Sequence, residues 1–290
     1  MHPPFFIRPM QKEDFVAADG LRQQAGWNQT LRDWSNIYSL NPELCFVADS
    51  PQGIVGTVTG IIHDPTLAWI GMVLVNENCR GAGVGRQLME KVIQHIRAQN
   101  IPKIGLDATP AGRFLYQKLG FTDALSLERW SGLASAPVRQ PTSSIRPIHE
   151  SDWPGILKFD LEATGFDRNR VLRRLCADGN HAQSAILMDR DRGQILAYGF
   201  SRAGARAGYL GPIVATQPET GADILQYLLE KFPAQHPVFW DLFPEQQEIL
   251  EIAKTMEFTF QRPLTRMFSG PPVSLASPSY HWAIADPAAG

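Results

Sequence analysis

The chain has 290 residues, 44% of them apolar, which is too long for one small domain and enough to give each of two domains its own core. With 27 basic and 29 acidic residues the formal net charge is −2, and no block of lysine and arginine stands out; this argues against broad electrostatic binding to nucleic acid or an anionic membrane. Cys45, Cys79 and Cys176 are widely spaced and make no CxxC pair, so neither a disulfide framework nor a zinc site is indicated.

Met1 to Phe5 shows no basic stretch leading into a long apolar segment, and no window reaches the roughly 18 apolar residues needed to cross a bilayer. The expectation is a soluble, unprocessed cytoplasmic protein. Ile7-Arg8-Pro9-Met10 reads as a short strand and turn before a helix that starts at Asp14. Further on, Trp69-Ile70-Gly71-Met72-Val73-Leu74-Val75 is an apolar run of strand length, suited to a strand covered on both faces. A polar connector, Asn76 to Cys79, leads into Arg80-Gly81-Ala82-Gly83-Val84-Gly85. Glycines there let backbone N–H groups approach an anion, and the start of a helix adds free donors and partial positive charge. Val84, Leu88, Met89, Val92, Ile93 and Ile96 then recur at helical spacing, with Arg86, Gln87, Glu90, Gln94 and Arg97 on the other side.

Two nucleotide-binding patterns compete for this loop. A Walker loop ends in Gly-Lys-Ser or Gly-Lys-Thr, whereas this one runs Gly85-Arg86-Gln87, and that reading fails. A dinucleotide fold places an acidic residue about 20 residues after its glycines, a distance that Asp107 satisfies. That fold leaves Tyr116, Gly120 and Phe121 without a purpose.

A strand ending in Val75, the Arg80 to Gly85 turn, a helix, a strand, and then Leu115-Tyr116-Gln117-Lys118-Leu119-Gly120-Phe121 together resemble the acyl-CoA binding core of the GNAT superfamily of N-acyltransferases. The resemblance covers about residues 5 to 131. It implies a mixed-sheet α/β fold of α+β type and acetyl-CoA as co-substrate, with no metal. It implies cofactor contacts from the backbone of Val73, Leu74 and Val75, from Arg80, Gly81, Ala82, Gly83, Val84, Gly85 and Arg86, and from Thr109 and Tyr116. Thr109 stands seven residues before Tyr116, where the family usually carries asparagine.

Within the same resemblance Tyr116 is the expected acid, a phenol placed to protonate the departing thiolate. A base must free the acceptor amine of its proton, and His63 is the candidate, with Asp64, Glu77 or a water relay as alternatives. The backbone N–H near Val73 would polarise the thioester carbonyl. Trp27, Asn28, Trp34 and Tyr38 fall in the segment that lines the acceptor site, and an aromatic wall there suits a small amine.

The chain also resembles itself. Ile7-Arg8-Pro9 to Asp14-Phe15 repeats as Ile145-Arg146-Pro147 to Asp152-Trp153, Gly26-Trp27 as Gly165-Phe166, and Trp69-Ile70-Gly71 as Tyr209-Leu210-Gly211. Two tandem GNAT-like acyl-CoA N-acyltransferase domains are the simplest account, over 1–131 and 145–290 with a linker at 132–144. The second copy replaces the loop with Ala215-Thr216-Gln217-Pro218-Glu219-Thr220-Gly221 and has no tyrosine between Glu245 and Phe258. It is therefore expected to have kept the fold and lost acyl-CoA binding, and to cover the first domain's sheet edge, to wall the acceptor pocket, or to serve only as a stabilising partner. Asp167, by its position in the loop corresponding to Trp27, is the candidate to meet an acceptor amine. Tyr280 to Pro287 reads as a short strand returning to an open sheet edge.

The resulting expectation is acetyl transfer to the primary amine of a small molecule by direct attack in a ternary complex, carried by a monomer or homodimer. The alternatives are a non-catalytic acyl-CoA sensor and a protein lysine or N-terminal acetyltransferase.

Overall fold

The computed structural model describes residues 4–134, 144–177, 182–189, 191–271 and 280–290. The chain divides into two units, one of Met1–Asp123, Met267–Pro272 and Pro287–Gly290, the other of Ala124–Arg266 and Val273–Asp286. Contact thus assigns two short C-terminal segments to the first unit, which a linear division at residues 131 and 145 does not do. Most of the linker expected at 132–144 lies outside the described residues.

The first unit is built from β1 (Phe6–Pro9), α1 (Phe15–Gln24), α2 (Leu31–Leu40), β2 (Phe46–Ser50), β3 (Gly53–Asp64), β4 (Leu67–Val75), α3 (Val84–Ala98), β5 (Lys103–Ala108) and α4 (Pro110–Lys118). Its strand order follows the chain from β1 to β5, and the last residues of a strand reaching Ser269 flank β5. The β1 to β4 strands are antiparallel, while β4 and β5 are parallel, joined through the crossover helix α3.

The expected amphipathic helix is α3. Its Leu88, Met89, Val92 and Ile96 are fully buried, each worth roughly 1.5–3 kcal/mol of apolar burial. The helix sits close on β3 because Gly56 presents no side chain: a Cβ there would lie 2.8 Å from Val84 Cγ1. The other face of β3 and β4 is covered by α1 and α2. A reciprocal cap starts α2, with Asp33 N–H donating to Thr30 Oγ1 (3.3 Å) and Thr30 N–H donating to Asp33 Oδ2 (2.7 Å).

The second unit comprises β6 (Thr122–Leu133, from Ala124 onward), α5 (Trp153–Thr164), α6 (Asn169–Cys176), β7 (Ala182–Asp189), β8 (Gln194–Arg202), β9 (Gly208–Ala215), α7 (Pro218–Leu229), β10 (Pro237–Leu242), α8 (Gln247–Thr255), β11 (Thr259–Ser269, to Arg266) and β12 (His281–Ala283). Its strand order is β11-β6-β10-β9-β8-β7, with β12 on β9.

The repeat seen in the sequence carries its chemistry with it. Arg8 Nη1 donates to Asp14 Oδ2 at 2.8 Å and Arg146 Nη1 to Asp152 Oδ2 at 2.6 Å. Each carboxylate also accepts a backbone N–H three residues earlier, from Gln11 and from His149, both at 2.7 Å. The paired arginine is the main reason that both carboxyls are held below the ordinary aspartate value.

Candidate active site

Strands β4 and β5 pair only at Leu67↔Lys103, Ala68↔Ile104 and Trp69↔Gly105, although β4 runs on to Val75 and β5 to Ala108. Beyond Trp69 they part as a fork. On its other edge β4 bulges: Thr57 faces Leu74 and Thr59 faces Gly71, so β4 carries one residue more than β3 between those pairs. Met72 takes φ 49° at this point, and its carbonyl accepts a hydrogen bond of 2.8 Å from the buried Thr57 hydroxyl. A non-glycine residue with positive φ is costly unless held, and Thr57 holds it. Val73, Leu74 and Val75 follow directly, so their backbone forms the fork's edge.

The Arg80 to Gly85 loop lies between β4 and α3. Gly81 and Gly83 both have φ 81°, and Gly83 is the N-cap of α3. The first amides of the helix, from Val84 onward, have no partner within the helix, and free N–H groups at a helix start suit an anion. Ala82 is half-buried and Arg80 exposed. Gly85 comes within van der Waals distance of β4, since a Cβ there would lie 3.4 Å from Val75 Cγ2. Arg86 is engaged along the helix surface, donating to Glu90 Oε1 at 2.8 Å.

Tyr116 projects from α4 into the core of the first unit. Burial pushes its phenol above the ordinary tyrosine value, which keeps it protonated and able to donate. Its ring lies over Gly112, where a Cβ would meet Tyr116 Cε2 at 2.8 Å and the phenol oxygen at 3.1 Å. Gly112 escaped the sequence reading, although its place one helical turn before Tyr116 was the available signal. Thr109 caps α4, its hydroxyl accepting from Gly112 N–H at 3.4 Å.

The face of β3 and β4 away from α3 carries the acceptor-side candidates. Residues alternate along a strand, and because Gly60 faces α3, Thr59 and His63 face α1 and α2. His63 is buried, edge-on to Trp69 with ring centroids 6.4 Å apart. Asp64 instead caps the β3–β4 turn, its Oδ1 accepting from the N–H groups of Thr66 (2.7 Å) and Leu67 (3.1 Å). Glu77 is exposed in the single turn after β4.

Trp27 is half-buried, and its carbonyl accepts from Arg22 Nη1 at 3.0 Å; the same guanidinium is paired with Asp19 through Nε at 2.8 Å. This buried pair fixes the α1–α2 loop that carries Trp27 and the buried Asn28. Tyr38 packs edge-on to Phe15 at 5.3 Å, as a helix contact. Trp34 is 0% exposed and Thr59 1%, and neither Trp34 Nε1 nor Thr59 Oγ1 has a hydrogen-bond partner among the described residues. Two buried polar atoms without partners are costly in a closed core and natural in a ligand site. Asp167 lies in the other unit, where its Oδ1 accepts from Asn169 N–H at 2.7 Å in the turn that leads into α6.

The second unit repeats the fork and closes it. Strands β9 and β10 pair at Gly208↔Val238, Tyr209↔Phe239 and Leu210↔Trp240, and from there β12 takes over, pairing with Ile213 and Val214 of β9. Trp240 Nε1 donates to Trp282 O at 3.1 Å and Ile284 N–H to Asp241 O at 3.3 Å. Trp282, 1% exposed, lies against Gly221 of α7, where a Cβ would be 2.3 Å from its ring. The expected returning strand is thus β12, but it enters the fork rather than an open edge, because the parted β9 and β10 carry backbone groups that need partners.

A bulged, forked strand pair beside a glycine-started crossover helix defines a GNAT acyltransferase unit, and the comparisons agree. The acetyltransferase (GNAT) family profile matches residues 8–121, and an acetyltransferase (GNAT) domain profile matches residues 156–279. The chain belongs to the GNAT acetyltransferase family, with two such domains in tandem. The uncharacterized N-acetyltransferase YitH of Bacillus subtilis (strain 168) is 29% identical over 178 residues, a match that spans 61% of this chain and 61% of that relative. A crystal structure from Pyrococcus horikoshii shares the fold with a TM-score of 0.82 and 20% identity, covering 99% of this chain and 96% of that one. A tandem GNAT protein from the clavulanic acid biosynthesis pathway shares it with a TM-score of 0.64 and 12% identity, covering 93% and 100%. No helix among the described residues is long and apolar enough to cross a membrane.

Proposed function

We propose that the chain is an acetyl-CoA-dependent N-acetyltransferase whose first unit transfers acetyl to the primary amine of a small molecule by direct attack in a ternary complex. The observation that carries this reading is the open β4–β5 fork with its Thr57-held bulge, beside the Gly83-capped start of α3. An amide-bearing pantetheine arm pairs with a free strand edge, and a diphosphate suits a helix start with free N–H groups. Glycine at 81 and 83 leaves that approach clear of side chains, so the residues present fit the donor.

In this reading the N–H at Val73 polarises the thioester carbonyl, Tyr116 protonates the leaving thiolate, and His63 or a water beside it takes the proton of the amine. Trp34 Nε1 and Thr59 Oγ1, buried and without partners among the described residues, support a compact acceptor that brings its own hydrogen-bonding atoms. Titration calorimetry with acetyl-CoA, followed by thiol release from acetyl-CoA across a panel of primary amines, tests the proposal. Saturable donor binding with amine-dependent thiol release is the expected result. Donor binding with no amine raising thiol release above background hydrolysis would favour a sensor instead.

A further inference from the structure

Pro287–Gly290, at some distance after β12, belong to the first unit and lie against β4 at Trp69 and Gly71. Ala68 and Ile70 point into the core beneath α3, so Trp69 and Gly71 face the other way, with Thr59 and His63. There Trp69 Nε1 donates to Pro287 O at 3.1 Å. Ala288 lies so close over Gly71 that a Cβ on Gly71 would be 2.6 Å from Ala288 Cα, and Gly290 lies over the Trp69 ring, 3.1 Å from it by the same measure. Ala288 is 3% exposed and Ala289 7%. Gly71 immediately precedes Met72, the residue at which the strand bulges. Chain 287–290 therefore covers the strand one residue from the fork's working edge. Its side chains are small and uncharged, as the close approach requires.

We infer that Pro287–Gly290 is a specificity-determining wall of the acceptor pocket, which limits the amines that reach the thioester to compact ones. The inference rests on the acetyltransferase reading above. The groups that fit the donor lie elsewhere, in the 80–85 loop and along β4 toward β5, so the wall governs acceptor choice and leaves donor affinity alone. Ala288 faces β4 where even a single Cβ on Gly71 has no room, so a larger side chain at 288 displaces the segment without shortening the chain.

The test uses the full chain, a form lacking residues 287–290, and Ala288→Leu, with thermal melts to confirm that each variant folds. For each, the dissociation constant of acetyl-CoA is measured by calorimetry. Thiol release is then followed with ethanolamine, n-butylamine, phenethylamine and a lysine-containing tetrapeptide. Both variants are expected to bind acetyl-CoA as the full chain does, and to raise the kcat/KM ratio of phenethylamine to ethanolamine by about tenfold or more, the scale of discrimination that pocket shape alone gives. Normal donor binding with the same amine profile in all three proteins would overturn the wall and leave the acetyltransferase reading standing. Failure of the full chain to bind acetyl-CoA would remove that reading and the wall with it.

Discussion

Each unit contains a pair of parallel strands that hold together for three residue pairs and then separate, 67–69 against 103–105 in one and 208–210 against 238–240 in the other. Past the point of separation the two units diverge. In the second unit β12 enters the gap, pairs with Ile213 and Val214, and buries Trp282 against Gly221. In the first, no described strand pairs with β4 on that side beyond Trp69. The same fork leaves strand backbone open in one unit and is a piece of core in the other, where the chain fills it. The unit whose 215–221 segment lacks the glycine-rich loop is also the one whose fork is filled, and the filling strand satisfies donors and acceptors that the parted strands would otherwise leave open.

The sharpest way to break this comparison is at the chemistry. Tyr116→Phe should lower kcat by about 10²–10⁴-fold with acetyl-CoA affinity little changed, the range expected for loss of a positioned acid. Because burial raises the phenol pKa, its deprotonation should not limit the pH–rate profile below the ordinary tyrosine value of about 10. Unchanged turnover, or an alkaline decline that vanishes in the phenylalanine variant below that pH, would remove Tyr116 from the role.

The counterpart in the second unit is Trp282→Ala. It should destabilise the protein by about 3–5 kcal/mol in denaturant unfolding, as emptying a large aromatic site does, without altering acetyl-CoA affinity at temperatures where the variant is folded. A weaker loss accompanied by a change in donor affinity would mean that the plugged fork is not merely core. Next in size, Gly83→Val forces a β-branched residue into φ 81° at the start of α3. The strain of about 1–3 kcal/mol corresponds to a roughly 10- to 100-fold weaker acetyl-CoA dissociation constant if the loop yields to relieve it. Intact affinity in a folded variant would discredit the loop.

How far these features were legible in the sequence depends on how local their causes are. The α3 periodicity, the glycines at 81 and 83 and the duplicated Arg-Pro-to-Asp opening each state a short-range requirement, and the fold places each where that requirement is met. The Thr57 clamp on Met72 joins residues 15 apart on two strands, and nothing in an apolar run marks which carbonyl will be turned out. Trp34 reads as a helix-packing residue until its Nε1 is seen to lack a partner among the described residues. The passage of 287–290 over Trp69 and Gly71 is further beyond local pattern, since it spans more than two hundred residues and depends on a glycine for lack of a side chain rather than on any group that attracts.

Smaller effects sharpen the comparison where the two units look most alike. Asp14→Asn and Asp152→Asn each remove an arginine partner and a turn cap, and each should cost about 1 kcal/mol at neutral pH. Asp152→Asn should cost more, because Arg8 keeps Asp49 at 2.8 Å as a second partner whereas Arg146 has no second ion pair among the described residues. Both aspartates have folded pKa values below the unfolded value of about 3.9, so their contribution is complete above that pH and is lost as pH falls through the folded value. Unfolding free energies of wild type and variants should therefore converge in acid. A difference that persists there would mean that the asparagines act through packing.

The smallest expected effect separates surface helix chemistry from donor binding at α3. Arg86 is 64% exposed on its side chain and paired with Glu90 one turn along, an arrangement worth a few tenths of a kcal/mol. If that pair is all it does, Arg86→Ala should change stability by less than about 0.5 kcal/mol and leave the acetyl-CoA dissociation constant within about twofold, with the anion held by backbone N–H groups that no side-chain substitution removes. If Arg86 instead leaves Glu90 to meet the diphosphate, the same variant should weaken acetyl-CoA more at low ionic strength than at high, while Glu90→Gln, which frees the guanidinium, should tighten it. Opposite signs from the two variants would make Arg86 part of the donor site. Two null results would confine recognition of the anion to the glycine-started helix end.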